Sequence, residues 1–255
     1  SFTEFSYQLL QGFDFVQLYR DHGCRIQMGG SDQWGNIVGG VDLMRRMEGA
    51  QAHAVTYPLL TNSEGKKYGK SEKGAVWLDP DLTSPYEFYQ FWLNSADVDT
   101  PKFLAWLTDI DLDYLEALKA APAHERRPQK ALAELLTARV HGADQARLAE
   151  EASGVIFRGK AETLSADLVG VLARAVPTVE AKAGEALPLI EALVSGDSPA
   201  CASKGEARRL IKQNAVAING EKVQDEQADV AGRRAGADAA IIAVGKAKRF
   251  LVRFV

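Results

Sequence analysis

Cysteine is nearly absent: the 255 residues hold two, Cys24 and Cys201, far apart in the chain. Two such thiols exclude a disulfide framework and offer no zinc spacing. Cys24 lies in an apolar, strand-like run and reads as a small core residue. Histidine is almost as scarce. His22, His53, His124 and His141 form no metal-ligand spacing, so no metal site is expected. Two of them precede glycine, which suits helix ends, and none is assigned a catalytic role. No apolar run approaches the roughly 20 residues that cross a bilayer. No basic segment followed by an apolar one marks a signal peptide. No internal repeat or low-complexity stretch occurs. Methionine is missing at the start: the chain opens on Ser1 inside a helical pattern, as expected of part of a longer polypeptide.

What is present is ordinary for a globular protein, with 46% apolar and 25% charged residues. The length allows one large domain or two to three small ones, with a sizeable core. Charge is uneven. From Ser203 to Val255 there are eleven Lys and Arg against six Asp and Glu, a balance of +5 that leaves −9 for the rest of a chain totalling −4. A basic module on an acidic body fits a nucleic-acid contact. On charge alone, a solvated basic surface fits equally well.

Periodicity organises the chain. Phe2 to Tyr19 repeats apolar residues at helical spacing, with His22-Gly23 as a stop. Arg25 to Met28 reads as a short strand ending at a glycine pair. A helix is expected from about Gln33 to Met47, a buried strand over Ala54 to Leu60, and another short strand over Ala75 to Leu78. Alternating strands and helices predict an α/β fold with a parallel sheet and helical crossovers. From Ser84-Pro85, an N-cap with proline at the first helical position, the pattern becomes all-helical. It runs through Leu107, then Asp113 to Ala120, Arg127 to His141 and Gln145 to Ala152, ending around Val155 to Val176. Pro177 to Glu185 has few large apolar residues and reads as a linker. Leu187 to Ser195 opens a last small domain.

Two motifs suggest chemistry. Gly29-Gly30-Ser31-Asp32-Gln33-Trp34-Gly35-Asn36 sits at a strand-to-helix junction. Its glycines allow close backbone approach, and the helix start favours negative charge. Lys67-Tyr68-Gly69-Lys70-Ser71 sets two ammonium groups and a hydroxyl on a loop also containing Gly65 and Gly74. Together they suggest a pocket for a nucleotide ribose and its polyphosphate. Upstream, Tyr7, Gln11 and Asp14 fall at i, i+4 and i+7, on one face of a helix. Periodicity alone makes that face the wet one. Near the end, Ser203-Lys204-x-x-Ala207-Arg208-Arg209 is a basic amphipathic helix. Asn214 ends it, and Asn219-Gly220 is a two-residue hairpin turn between Ala215 to Ile218 and Glu221 to Val223.

In this order the motifs resemble the bacterial tyrosyl-tRNA synthetases, from inside the catalytic domain to the C-terminus. No His-x-Gly-His sequence occurs, so the family's first ATP motif lies outside this chain. The resemblance implies the second half of a Rossmann-like class I catalytic domain over 1–83, with a KMSKS-like loop. It further implies a helical anticodon-side domain over 84–180 and a small α+β RNA-binding module over 187–255, shared with a ribosomal protein. Tyr7 and Gln11 would hold the tyrosine ammonium, and Asp14 the phenol hydroxyl. Gln27 and Gln33 would complete the tyrosine site. Gly29, Gly30, Asp32 and Lys70 would bind ATP, with Asp32 on the ribose. The bland reading of Asp32 is a helix cap or first-turn acid. Lys67, Lys70 and Ser71 would stabilise the transition state. Ser203, Lys204, Arg208, Arg209 and Lys212 would contact tRNA phosphates.

Trp34 and Asn36 read as structural. Tyr68 replaces the more usual Phe or Met. An acceptor placed for a phenol rejects phenylalanine by about 10⁴–10⁵ without editing, a magnitude that comes from this enzyme family itself. Mg²⁺ would arrive with ATP. A cytoplasmic homodimer is implied for the full-length protein, and this polypeptide alone is expected to be inactive. Two alternatives stay open: a tryptophanyl-tRNA synthetase, and a non-catalytic RNA-binding remnant of a synthetase.

Overall fold

The computed structural model describes residues 2–61, 63, 76–236 and 238–255. The Lys67–Ser71 motif, with Gly65, Gly74 and Ala75, lies outside them. The chain forms two compact units, Ser1–Ala75 and Val76–Val255.

In the first unit, α1 (Phe2–His22) ends where Gly23 takes φ +68° and donates to the Tyr19 carbonyl, a left-handed helix stop. Strand β1 (Ile26–Gly30) continues through both glycines, past the expected end at Met28. A 3₁₀ turn over Ser31–Gln33 leads into α2 (Trp34–Glu48), and β2 (His53–Tyr57) returns parallel to β1, with Ile26 opposite His53 and Gly30 opposite Tyr57. The helical crossover is thus present. Phe15, Val16 and Met44 are buried between α1 and α2, where the helices meet at a glycine pair. A methyl on Gly40 would sit 3.3 Å from Cα of Gly12 and 3.2 Å from Phe15. Cys24 is half-buried in the loop beside this core rather than within a strand. Ile26, Met28, Val55 and Tyr57 stay exposed along one side of the strand pair.

The second unit begins with turns. Residues 76–78 form no strand, contrary to expectation, and the Trp77 N–H instead donates to Thr83 Oγ1. Helix α3 (Pro85–Leu93) opens on the expected cap: Ser84 accepts from the Glu87 N–H while Glu87 accepts from the Ser84 N–H. The helical run to Leu107 breaks after Leu93 and resumes as α4 (Thr100–Leu107). Then follow α5 (Leu112–Lys119), α6 (Arg127–His141), α7 (Ala143–Arg158) and α8 (Ala166–Ala175). Both α1 and α6 end at a His-Gly pair, as expected.

The segment expected as a linker contains β3 (Thr178–Ala181), a strand of a five-stranded sheet. It lacks a strand signal because only Val179 is buried, as suits an edge strand. After it come α9 (Leu189–Val194), α10 (Lys204–Lys212), β4 (Val216–Ile218), β5 (Glu221–Lys222), β6 (Ala239–Val244) and β7 (Lys248–Phe254). The order is β3-β7-β6-β4-β5, with β3 parallel to β7 and every other pair antiparallel.

Both faces of this sheet are covered, and strand alternation decides which residue meets which layer. Ala240, Ile242, Phe250, Val252 and Phe254 pack with Leu189, Leu193, Ala207 and Ile211 of α9 and α10. Ile241 and Leu251 face the other way, onto Leu148 and Ala152 of α7 and Leu168 and Leu172 of α8. The helical region and the C-terminal sheet therefore share a core within one unit.

Candidate functional site

The first cluster gathers where β1 ends. Gly30 is extended (φ −65°, ψ 158°) and occupies the N-cap position of the 3₁₀ turn. Asp32 is therefore a first-turn acid and not the cap. Space at this strand end is tight: a methyl on Gly29 would lie 3.1 Å from Cδ1 of Ile37, which would have to give by a few tenths of an ångström. Neither residue has left-handed φ.

Three amides meet beside this turn. Asn36, in the first turn of α2, donates from Nδ2 to Oε1 of Gln11 on α1 and to Oε1 of Gln33, each at 3.2 Å. All three residues are half-buried. Of the residues expected to hold an amino acid, the structure thus joins Gln11 and Gln33 through Asn36. Gln27, on β1, is also half-buried, and its Oε1 has no hydrogen-bond partner among the described residues. Tyr7 is 63% exposed, and Asp14 is exposed with no partner among the described residues. Asn36, which reads as merely structural in the sequence, is the joint of this cluster. The spacing of Gln33 and Asn36, i and i+3 at a helix start, is the available signal.

The second cluster lies on α10. Ser203 caps the helix, accepting from the Glu206 N–H. Asn214 takes φ +57°, as expected of an asparagine ending a helix. Asn219 and Gly220 both have positive φ, the two-residue turn between β4 and β5. The basic residues divide. Lys204 pairs with Glu191 at 2.5 Å and Arg208 with Glu226 at 2.7 Å. Arg233, Arg234 and Arg253 pair with Glu221, Asp238 and Glu180. Lys222 and Lys248 donate to the carbonyls of Asn214 and Ala200. Arg209, Lys212 and Lys246 form no ion pair among the described residues and are exposed.

Arg249 leaves the basic surface altogether. It is 8% exposed, and its guanidinium donates to five backbone carbonyls, those of Ile156, Phe157, Gly245, Lys246 and Lys248. Two of these end α7, where the helix dipole favours a cation. The +5 balance of the tail thus overstates what can meet an external partner. Among the described residues, no group of three or more His, Cys, Asp or Glu could hold a metal ion, and no helix is long and apolar enough to cross a membrane.

The parallel strand pair with its helical crossover, the helical region and the mixed sheet fall within a chain whose matched family is of class I synthetases. The chain belongs to the family described as tRNA synthetases class I (W and Y), which matches residues 1–158. Residues 169–252 match the tyrosine–tRNA ligase SYY-like C-terminal domain. Among curated relatives, the chain is 48% identical to the tyrosine–tRNA ligase of Thermobifida fusca, covering 90% of this chain and 55% of that protein. It is 44% identical to that of Bacillus caldotenax, covering 100% and 61%. It therefore spans less than two thirds of these relatives' length. Among solved structures, it is similar to a C-terminally truncated mitochondrial tyrosyl-tRNA synthetase of Aspergillus nidulans, with TM-score 0.51, 30% identity and coverage of 62% of this chain and 46% of that one. The corresponding enzyme of Coccidioides posadasii gives TM-score 0.50 at 32% identity, covering 59% and 45%.

Proposed function

We propose that the protein carrying this chain is a tyrosine–tRNA ligase. Tyrosine carboxylate attacks the α-phosphorus of ATP. A carboxylate oxygen–phosphorus bond forms, the bond to the β-phosphate oxygen breaks, and pyrophosphate leaves with its electron pair. The terminal ribose hydroxyl of tRNA(Tyr) then attacks the adenylate carbonyl and AMP departs. No protein base is needed in the first step, because the carboxylate is ionised at neutral pH and positioning provides much of the rate.

The observation that carries this reading is the amide cluster of Gln11, Gln33 and Asn36 at the β1 end. Half-buried amides offer N–H donors to an amino acid's carboxylate and acceptor oxygens to its ammonium. Asp14, three residues beyond Gln11 on α1, supplies the acceptor for a phenol. Tyr7 and Gln27 join this pocket, and the orphan Oε1 of Gln27 is one more acceptor for it. Gly29, Gly30 and Asp32 take the nucleotide, with Asp32 on the ribose. Lys67, Lys70 and Ser71 neutralise the charge that builds on the leaving pyrophosphate, more strongly in the transition state than before it. Mg²⁺ enters with ATP, held chiefly by phosphates. Ser203, Lys204, Arg208, Arg209 and Lys212 meet the tRNA backbone. The cytoplasmic homodimer expected of the full-length protein rests on the family resemblance.

The test is tyrosine-dependent exchange of labelled pyrophosphate into ATP by the whole protein. Exchange is expected with tyrosine and not with tryptophan or phenylalanine. Absence of tyrosine-dependent exchange overturns the reading. Asp14→Ala is expected to lower the preference for tyrosine over phenylalanine by at least about tenfold, since the acceptor that phenylalanine leaves without a phenol is then gone.

A further inference from the structure

The two faces of the C-terminal sheet have different duties. Helix α10 and strand β4 belong to the face that packs with α9, where Ala207, Ile211, Val216 and Ile218 are buried. That core includes no residue before Val179. The opposite face meets α7 and α8. The shape of α10 is therefore set by one layer, and its placement against the helical region by the other.

Three polar or close contacts surround the second layer. The Arg249 guanidinium, on β7, donates to the Ile156 and Phe157 carbonyls at the end of α7. The Leu164 N–H donates to the Ala235 carbonyl. The Asn219-Gly220 turn, which follows α10 and β4, closes on the chain just past α7: a methyl on Gly220 would lie 2.6 Å from Cγ and 3.3 Å from Cα of Lys160. Apolar contact is non-directional, so Ile241 and Leu251 alone would let the sheet slide on α7 and α8. A guanidinium is a rigid, planar fork of donors. With five carbonyls accepting from it, Arg249 admits one arrangement of the sheet against the helix end.

We infer that Arg249 is a positioning residue for tRNA: it latches the C-terminal sheet to the end of α7 and so holds α10 in one orientation, without touching RNA itself. This role rests on the tyrosine-ligase reading and goes beyond it. On that reading one tRNA is gripped at α10 while its terminal ribose reaches the adenylate. The second contact is then intramolecular, and its strength depends on how narrowly the first is placed.

Two variants of the whole protein loosen the latch from different sides. Arg249→Met removes the donors. Gly159→Ala keeps every charge and sets a methyl 2.9 Å from the Arg249 Nε. Measured well below each variant's melting midpoint, both are expected to raise KM for tRNA(Tyr) in tyrosylation about fivefold or more. Tyrosine-dependent pyrophosphate exchange, which needs no tRNA, is expected to stay within about twofold of wild type in both. The slope of log K against log salt is expected to stay within about 0.3, because no phosphate contact is lost. Binding of poly(U), a flexible chain that follows α10 wherever it points, is expected to be unchanged. The double variant should match the worse single one, as for two changes acting on one latch. An unchanged KM for tRNA in both folded variants makes Arg249 a stabilising residue only and overturns the inference. A shallower salt slope or weaker poly(U) binding in Arg249→Met makes it a phosphate contact and overturns it equally. Wild type separates the two failures: no tyrosine-dependent exchange in wild type removes the ligase reading and the positioning role with it, whereas normal wild-type tyrosylation matched by both variants removes the positioning role alone.

Discussion

A methyl group on Gly30 would sit 2.7 Å from Cδ2 of Leu59 and 2.8 Å from Oδ1 of Asp32. Backbone angles are no obstacle there, so the constraint is space, and the carboxylate is one of the two atoms that must move. Both atoms are far ends of flexible side chains, so Gly30→Ala is expected to move the Asp32 carboxylate at a stability cost under about 1 kcal/mol and, on the proposed nucleotide role of Asp32, to raise KM for ATP; exchange kinetics at varied ATP, with a melting curve, check it. His141 offers a second test at this scale. Its ring meets Phe88 edge-on at 5.0 Å, and its Nε2 has no partner among the described residues. Burial holds the imidazole below its ordinary value of 6.5. The unfolded chain then binds the proton more readily than the folded one. Stability is complete above 6.5 and is lost as pH falls from there toward the depressed value. The unfolding midpoint is expected to drop between about pH 7.5 and pH 5, and to drop less in His141→Phe. An equal drop in both would remove His141 as its source.

At the scale of elements, the joint between α7 and the C-terminal sheet is governed by Arg249. It projects from the β7 face that also carries Leu251, and it reaches the last carbonyls of α7. Gly159 follows, at φ +63°, where a methyl would lie 2.9 Å from the Arg249 Nε. Arg249→Met keeps much of the buried stem and removes the donors. It is expected to cost about 1–3 kcal/mol by urea unfolding, because a buried guanidinium that donates to five carbonyls is lost, whereas Arg209→Met on exposed α10 should stay within about 0.5 kcal/mol. The elements also differ in how legible they are. The Ser84 cap, the His-Gly stops, Asn214 and the Asn219-Gly220 turn all behave as their local chemistry dictates. Such signals are satisfied within a few residues. Strand β3 reads as a linker in sequence because its partner β7 lies some seventy residues away, and nothing in Thr178–Ala181 alone records that pairing.

For the whole molecule, the division of basic residues predicts how the proposed contact with tRNA responds to salt. Phosphate neutralisation sets a salt dependence, and the slope of log K against log salt falls by about 0.7–0.9 for each phosphate left without its cation. Arg209→Ala and Lys212→Ala are expected each to reduce the slope by roughly that amount. Arg208→Ala should reduce it less, because Arg208 already faces Glu226 at 2.7 Å. Titration of tRNA(Tyr) at several salt concentrations checks this; equal reductions for all three would mean that the ion pair opens on binding.

By itself the sequence determined most of the helices, their caps and turns, and the family, because each is written in residue type and short spacing. Tertiary structure decided what depends on distant partners. It joined Gln11 to Gln33 through Asn36, made Gly30 a matter of space rather than backbone angle, and turned Thr178–Ala181 into a strand. It also took Arg249 out of the basic surface. A side chain's charge can be read from its letter, but whether that charge meets solvent, an acid or a helix end depends on which chain segments the core brings together.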